Sequence, residues 1–193
     1  LWDWSVDLAD DQRASVAASP LDGKWYADSF PPDAFVAPID GGSGLETISL
    51  QDERALYLLG VASRQPDPAS GRTLLVYDDP VELVRFPIEL GSRHESVGVI
   101  EDAVFSGIPY ASVDTYTVEV AAVGELALPS LTFTQAHQVR IRADVAPALG
   151  EPTSVRQVSY FFECFGEVAR ATSHPGEPEP AFTEAAEVRR LSL

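Results

Sequence analysis

Gln138-Val139-Arg140-Ile141-Arg142-Ala143-Asp144-Val145 is the stretch on which the fold turns. Its apolar members recur at every second position, and charged groups fill the positions between. Side chains of a β-strand point alternately to opposite faces. This spelling therefore makes one dry face and one wet face, as a half-buried antiparallel strand requires. Thr115-Tyr116-Thr117-Val118-Glu119-Val120 repeats the pattern, with Tyr116, Val118 and Val120 inward and Thr115, Thr117 and Glu119 outward.

Reading outward from these two runs, residues 154–164 form a long β-rich stretch that ends in Tyr160-Phe161-Phe162-Glu163-Cys164-Phe165. Residues 55–61, Ala-Leu-Tyr-Leu-Leu-Gly-Val, are apolar on both sides and read as a strand buried on both faces. Gln51-Asp52-Glu53-Arg54 suits a hairpin between that run and residues 45–50. Residues 73–77 are β-rich, Asp78-Asp79-Pro80 reads as a turn, and 81–88 as extended. Residues 96–108 are β-rich and broken by Gly98 and Gly107. Near the start, Trp2, Trp4, Val6 and Leu8 alternate like a strand, residues 10–19 suggest a short helix, and 23–30 read as a strand stopped by Pro31-Pro32. Residues 182–193 lean to a short helix, with Thr183 at its cap, Glu184 in its first turn and Arg189 and Arg190 in its last. Roughly ten to twelve strands at spacings of about ten residues, with turn signals between them, point to an all-β, mainly antiparallel fold. The expectation is one domain over residues 1–193: a curved sheet, half-barrel or sandwich with one or two short helices.

Composition narrows the functional classes. The chain of 193 residues is 45% hydrophobic and 22% charged, which suits a packed globule and argues against disorder. Thirteen basic against thirty acidic side chains give a net charge of −17, which disfavours nucleic acid and anionic membrane surfaces as partners. No apolar run reaches the roughly 18 residues of a membrane span. One cysteine excludes an internal disulfide framework and a multi-cysteine zinc site. The chain starts at Leu1 and contains no methionine, so a processed or trimmed product is expected.

The chemistry-bearing residue types are dispersed. His94, His137 and His174 are far apart in sequence and lack short metal-ligand spacing, so no metal site is expected. Cys164, within an aromatic run, reads as a buried and inert thiol. Gly42-Ser43-Gly44 fails as a nucleophile elbow, because Leu45 stands where the second glycine is needed. Asp7, Asp10 and Asp11, or Asp40 with Glu46, offer oxygens for calcium without the spacing of an EF-hand loop, and turn chemistry explains them more simply. No catalytic residue and no cofactor is assigned. The aromatic and aliphatic groups of the two-faced strands, Tyr57, Leu59, Tyr116, Tyr160 and Phe162, are the candidate lining of an apolar ligand pocket, which a barrel-like sheet leaves when it does not fill itself.

A longer layout covers residues 80–139: Pro80, Leu83, Phe86-Pro87-Ile88 and Gly91, followed by Val118, Val120, Gly124-Glu125-Leu126, Pro129, Thr132-Phe133, Ala136 and Val139. This resembles a layout of uncharacterised bacterial exported proteins and lipoproteins. Pro129-Ser130-Leu131-Thr132-Phe133 stands here where Pro-Ala-Gly-Thr-Phe is usual. The resemblance implies a curved antiparallel sheet in the cell envelope, similar to the half-barrels of LolA-like lipoprotein carriers, which hold acyl chains in an apolar concavity. It implies no catalytic residue.

The functional expectation is a non-catalytic binding or carrier module of the bacterial envelope, periplasmic or secreted, with room for a lipid anchor on a removed upstream segment. Its ligand would be a small apolar molecule, a lipid or a partner segment. The alternative is a structural or interaction protein with a filled core. A hydrolase built on dispersed carboxylates ranks below both.

Overall fold

The computed structural model describes residues 1–6, 11–14, 16–42 and 44–192. Among the described residues twelve strands follow one another: β1 (Trp2–Asp3), β2 (Ser19–Pro20), β3 (Phe35–Pro38), β4 (Leu45–Gln51), β5 (Ala55–Ser63), β6 (Leu74–Arg85), β7 (Arg93–Phe105), β8 (Ile108–Ala127), β9 (Thr132–Pro147), β10 (Thr153–Phe162), β11 (Gly166–Ser173) and β12 (Ala185–Arg190). From β2 to β12 each strand pairs antiparallel with the next in sequence, a continuous meander. Among the described strands only β1 is parallel; it pairs with the end of β8 at Leu126 and Ala127. The sheet is strongly curled into a half-barrel.

Local chemistry sets the turns. Ser106 and Gly107 both have positive φ, 49° and 78°, the backbone of a two-residue hairpin whose twist matches the flanking strands. Asp52 turns the chain between β4 and β5 by accepting hydrogen bonds from the Arg54 and Ala55 amides at 2.7 and 2.9 Å.

The two runs that decide the fold class are β8 and β9, with Val118 opposite Ile141 and Val120 opposite Val139. Val118 and Val139 are 2% and 0% exposed, whereas Arg142 lies in solvent. Their dry side joins Val84 and Leu56 of β6 and β5, and Phe161 of β10, in one cluster. β7 separates β6 from β8 in the strand order, so only a curl lets these side chains meet. The shared dry side is the inner face. At the far edges the curl nearly closes: Arg189 of β12 donates to the Pro38 carbonyl at 3.3 Å and to that of Ile39, and Arg170 of β11 donates to Ile39 at 3.1 Å.

Between β6 and β7 the ladder has the single position Leu74–Val104. Side chains take over from the ladder beyond it. The Ser96 hydroxyl accepts from the Glu82 amide at 3.0 Å, and His94 Nε2 lies 3.2 Å from the Glu82 carbonyl. A carbonyl only accepts, so Nε2 carries the hydrogen in that contact.

The N-terminal part covers the outer face. Leu21, Tyr26, Phe30 and Ala34 pack on Val36, Ile48, Leu59 and Ala62, and Trp2 and Trp4 pack on a second cluster around Leu126, Phe133, Tyr160 and Val168. Phe30 reaches Gly60 so closely that a Cβ there would stand 2.8 Å from the ring.

Several local readings are corrected. Residues 23–30 form turns and the 3-10 helix Ala27–Ser29, because Tyr26 and Phe30 must both turn onto the sheet. Asp78-Asp79-Pro80 lies inside β6, where the ladder with β5 skips from Val76 to Val81 in a bulge. The helix expected near the C-terminus is the edge strand β12, with Arg189 opposite Arg170. Of the helix expected over 10–19, residues 11–14 and 16–18 have irregular backbone and Ser19–Pro20 is a strand; residues 10 and 15, with 7 and 8 of the first alternation, lie outside the described residues.

Candidate functional site

The five residues expected to line one pocket lie in separate parts of the sheet. Tyr57 and Leu59 belong to the outer cluster beneath the segment 21–34. Successive side chains of β5 alternate between the faces, with Leu56 and Leu58 inward and Tyr57 and Leu59 outward. Tyr116 alone lies on the inner face. Tyr160 and Phe162 face outward, where Trp2 and Trp4 stand 5.0 and 5.1 Å from the Tyr160 ring and Phe133 stands 4.8 Å from Phe162. The structure therefore does not gather them into one pocket.

The inner face carries a polar cluster that sequence reasoning missed. On β8 the inward register runs Ser112, Asp114, Tyr116, Val118, Val120. Asp114 is 4% exposed, amid Leu58, Val81, Ile100 and Tyr77. The Tyr77 hydroxyl of β6 donates to Asp114 Oδ2 at 2.7 Å, and the Tyr116 hydroxyl lies 3.0 Å from that of Tyr77. Tyr77 has one hydrogen and spends it on the carboxyl, so Tyr116 donates to Tyr77. Asp114 Oδ1 and Ser112 Oγ are buried without a hydrogen-bond partner. Burial pushes the Asp114 carboxyl up, against the lowering effect of Tyr77 and Ser112. Burial likewise lifts the Tyr116 phenol to about 12. The missed signal is a plain one: the alternation of 115–120, continued two residues back, places an aspartate on the dry side.

A second buried acid ties down the outer segment. Glu46 receives Lys24 Nζ at 2.9 Å on both oxygens, the Tyr26 hydroxyl at 2.6 Å, and Arg64 Nε at 3.3 Å. Burial alone would raise its pKa; the hydrogen bonds from Tyr26 and Lys24 and the charges of Lys24 and Arg64 outweigh it and hold the carboxyl below the usual range. Asp40 accepts from the Gly42 amide at 2.8 Å, which is turn chemistry. Asp7 and Asp10 lie outside the described residues.

Beside this knot a surface groove of about 250 Å³ opens between the N-terminal segment and the β6–β7 corner. Trp25 forms its wall, held by its Nε1–H to the Ser63 carbonyl at 2.8 Å, with the Arg72 guanidinium 5.5 Å above the ring. Leu74, Val76 and Val104 form an apolar floor, and the exposed Glu101 and Asp102 stand on the opposite rim. A bulge in β7 between Ile100 and Ala103 sets these two acids out from the ladder, with Asp102 at a φ of 49°. A second, open groove of about 390 Å³ lies along Val113, Val145 and Pro152.

Among the described residues no group of three or more His, Cys, Asp or Glu could hold a metal ion. His94 serves the β6–β7 corner, His137 is half-buried opposite Phe161, and His174 is exposed. Cys164 is exposed at the β10–β11 turn, with φ 68°, which corrects the reading of a buried thiol. The turn lifts it clear of the aromatic residues that sequence proximity places around it. No described helix is long and apolar enough to cross a membrane. No protein-family model, curated protein or solved structure matches the chain.

Proposed function

We propose that the protein is a non-catalytic binding module with a filled core, working in the bacterial envelope and meeting its partner on its outer surface. The observation that carries this reading is the fit of the inner face. Val81 and Val139 are 0% exposed, Ile100 1% and Val84 2%, which leaves no water-sized space against them. A ligand the size of an acyl chain needs a cavity of several hundred Å³. The acid best placed for chemistry, Asp114, is sealed from any substrate by the same packing. The Trp25 groove offers what the interior lacks: an apolar floor, a fixed aromatic wall and both signs of charge on its rim, a composition that suits a short partner segment. The envelope location rests on the layout of residues 80–139.

A photoreactive amino acid placed at Val104 tests the reading in the producing cell. Cross-links to one discrete partner, absent with the same probe at Thr117 on the far outer face, support it. Equal labelling at both positions, or none at Val104, counts against it. A carrier reading keeps one supporting observation: the seam between β3 and β12 is bridged by arginine side chains, which part more easily than a backbone ladder.

A further inference from the structure

We propose that Asp114 is held as the neutral acid in the folded protein, so that the corner it clasps with Tyr77 between β6 and β8 loses stability when the carboxyl ionises and leaves a charge buried without a counter-ion. The inference concerns the core and stands apart from how the outer surface is used.

The geometry carries it. An ionised carboxylate accepts at four lone-pair positions and, when buried, needs a cation or several donors. Asp114 has one donor within hydrogen-bond geometry, the Tyr77 hydroxyl; the Ser112 hydroxyl is near enough to lower its pKa but bonds to neither oxygen, and Oδ1 has no partner. No cation is among the groups that act on Asp114. β6 contributes Tyr77, and β7 presents Gly98, which stands opposite Asp114 without a side chain. β8 contributes Ser112 and Tyr116, with Tyr110 near the latter, and β9 places Val145 in register. Asp144, the nearest acid along β9, is held by Arg142 at 2.8 Å. The phenols facing Asp114 are themselves pushed up by burial, so they stay neutral and supply no charge. A proton on Oδ1 removes the buried charge and gives the unpartnered side of the cluster a donor, while Oδ2 keeps its bond from Tyr77. Burial, which raises the Asp114 pKa, acts in the same direction.

Linkage sets the sign. A carboxyl whose folded pKa lies above its unfolded value near 3.9 favours folding fully below that value, and this advantage shrinks as pH rises toward the folded pKa. The position of the clasp gives the loss a place. Beyond Leu74–Val104 the β6–β7 ladder stops, and Tyr77–Asp114 spans the corner that remains.

Carbon-13 NMR of the aspartate side-chain carboxyls of the intact protein, followed from about pH 3 to pH 8, reads the protonation directly. The expected result is one carboxyl, absent from the spectrum of Asp114→Asn, that titrates at least about one pH unit above the ordinary 3.9. In urea unfolding at about pH 3 and about pH 8, wild type loses stability relative to Asp114→Asn at the higher pH, the loss falling between the unfolded midpoint near 3.9 and the folded one. Their folding constants diverge roughly tenfold for each pH unit that separates the folded from the unfolded titration midpoint. An Asp114 signal that titrates at or below about 4 overturns the proposal. So does an Asp114→Asn penalty that is the same at both pH values. Should the variant fail to fold, Asp114 is assigned in wild type from its own backbone correlations, and the titration decides alone.

Discussion

Tyr77 of β6 lies directly over Gly98 of β7: a Cβ built on that glycine would stand 2.5 Å from the tyrosine ring and 2.6 Å from Val81. The missing side chain makes the slot through which Tyr77 crosses β7 and reaches Asp114 on β8. Gly98→Ala forces the ring or the strand to move, and overpacking of this kind costs about 1–3 kcal/mol. Gly41→Ala, at a site with open space and no positive φ, is expected to stay within about 0.5 kcal/mol of wild type. Chemical denaturation of both variants checks the contrast; equal effects contradict it.

The Glu46 knot predicts the opposite pH response to Asp114. Glu46→Ala leaves Lys24 and Tyr26 without their shared acceptor. Removal of one partner from a buried ion pair costs about 3–5 kcal/mol, and the partial exposure of Lys24 and Arg64 (22% and 54%) lowers the expectation to about 2 kcal/mol. Because the folded carboxyl titrates below its unfolded value near 4.3, this contribution is present above that pH and is lost as pH falls through the lower, folded pKa. Urea midpoints of wild type and variant should differ at pH 7 and converge in acid. A gap that is constant with pH counts against the knot.

The seam makes a regional prediction. With Arg170 and Arg189 both replaced by alanine, the carbonyls of Pro38 and Ile39 lose their bridge to β11 and β12. Hydrogen bonds from charged donors contribute about 1.5–3 kcal/mol, so amide exchange in β12 should quicken by roughly tenfold or more. The β8–β9 amides should keep their rates. Uniform acceleration across the sheet would mean that the arginines support the whole fold and do not act as an edge closure.

The strands are legible where local alternation and burial agree. β8 and β9 follow their spelling because each has one neighbouring layer on its dry side and solvent on the other. The sequence of β5 shows apolar residues on both faces, and both faces are indeed covered, by the inner core and by the segment 21–34. Neither the identity of those covers nor the curl that supplies them is a local property, so Tyr57 and Tyr160 cannot be sorted onto their faces from spacing alone, whereas Tyr116 follows the alternation of its own strand. The C-terminal strand β12 departs from its spelling for a related reason. Its charge order suits a helix, whereas register with β11 and the reach of Arg189 to β3 make it a strand. Asp114 escapes notice although its position is readable, because an aspartate beside a strand suggests a turn until its register is counted.

Titration of the purified protein with a fluorescent acyl probe tests the filled core most directly. The account predicts weak, non-saturating emission in native buffer, with saturable binding only where urea has begun to open the fold. Stoichiometric, saturable binding to the native protein, lost when Val139 on the inner face is replaced by a bulkier side chain, would contradict it.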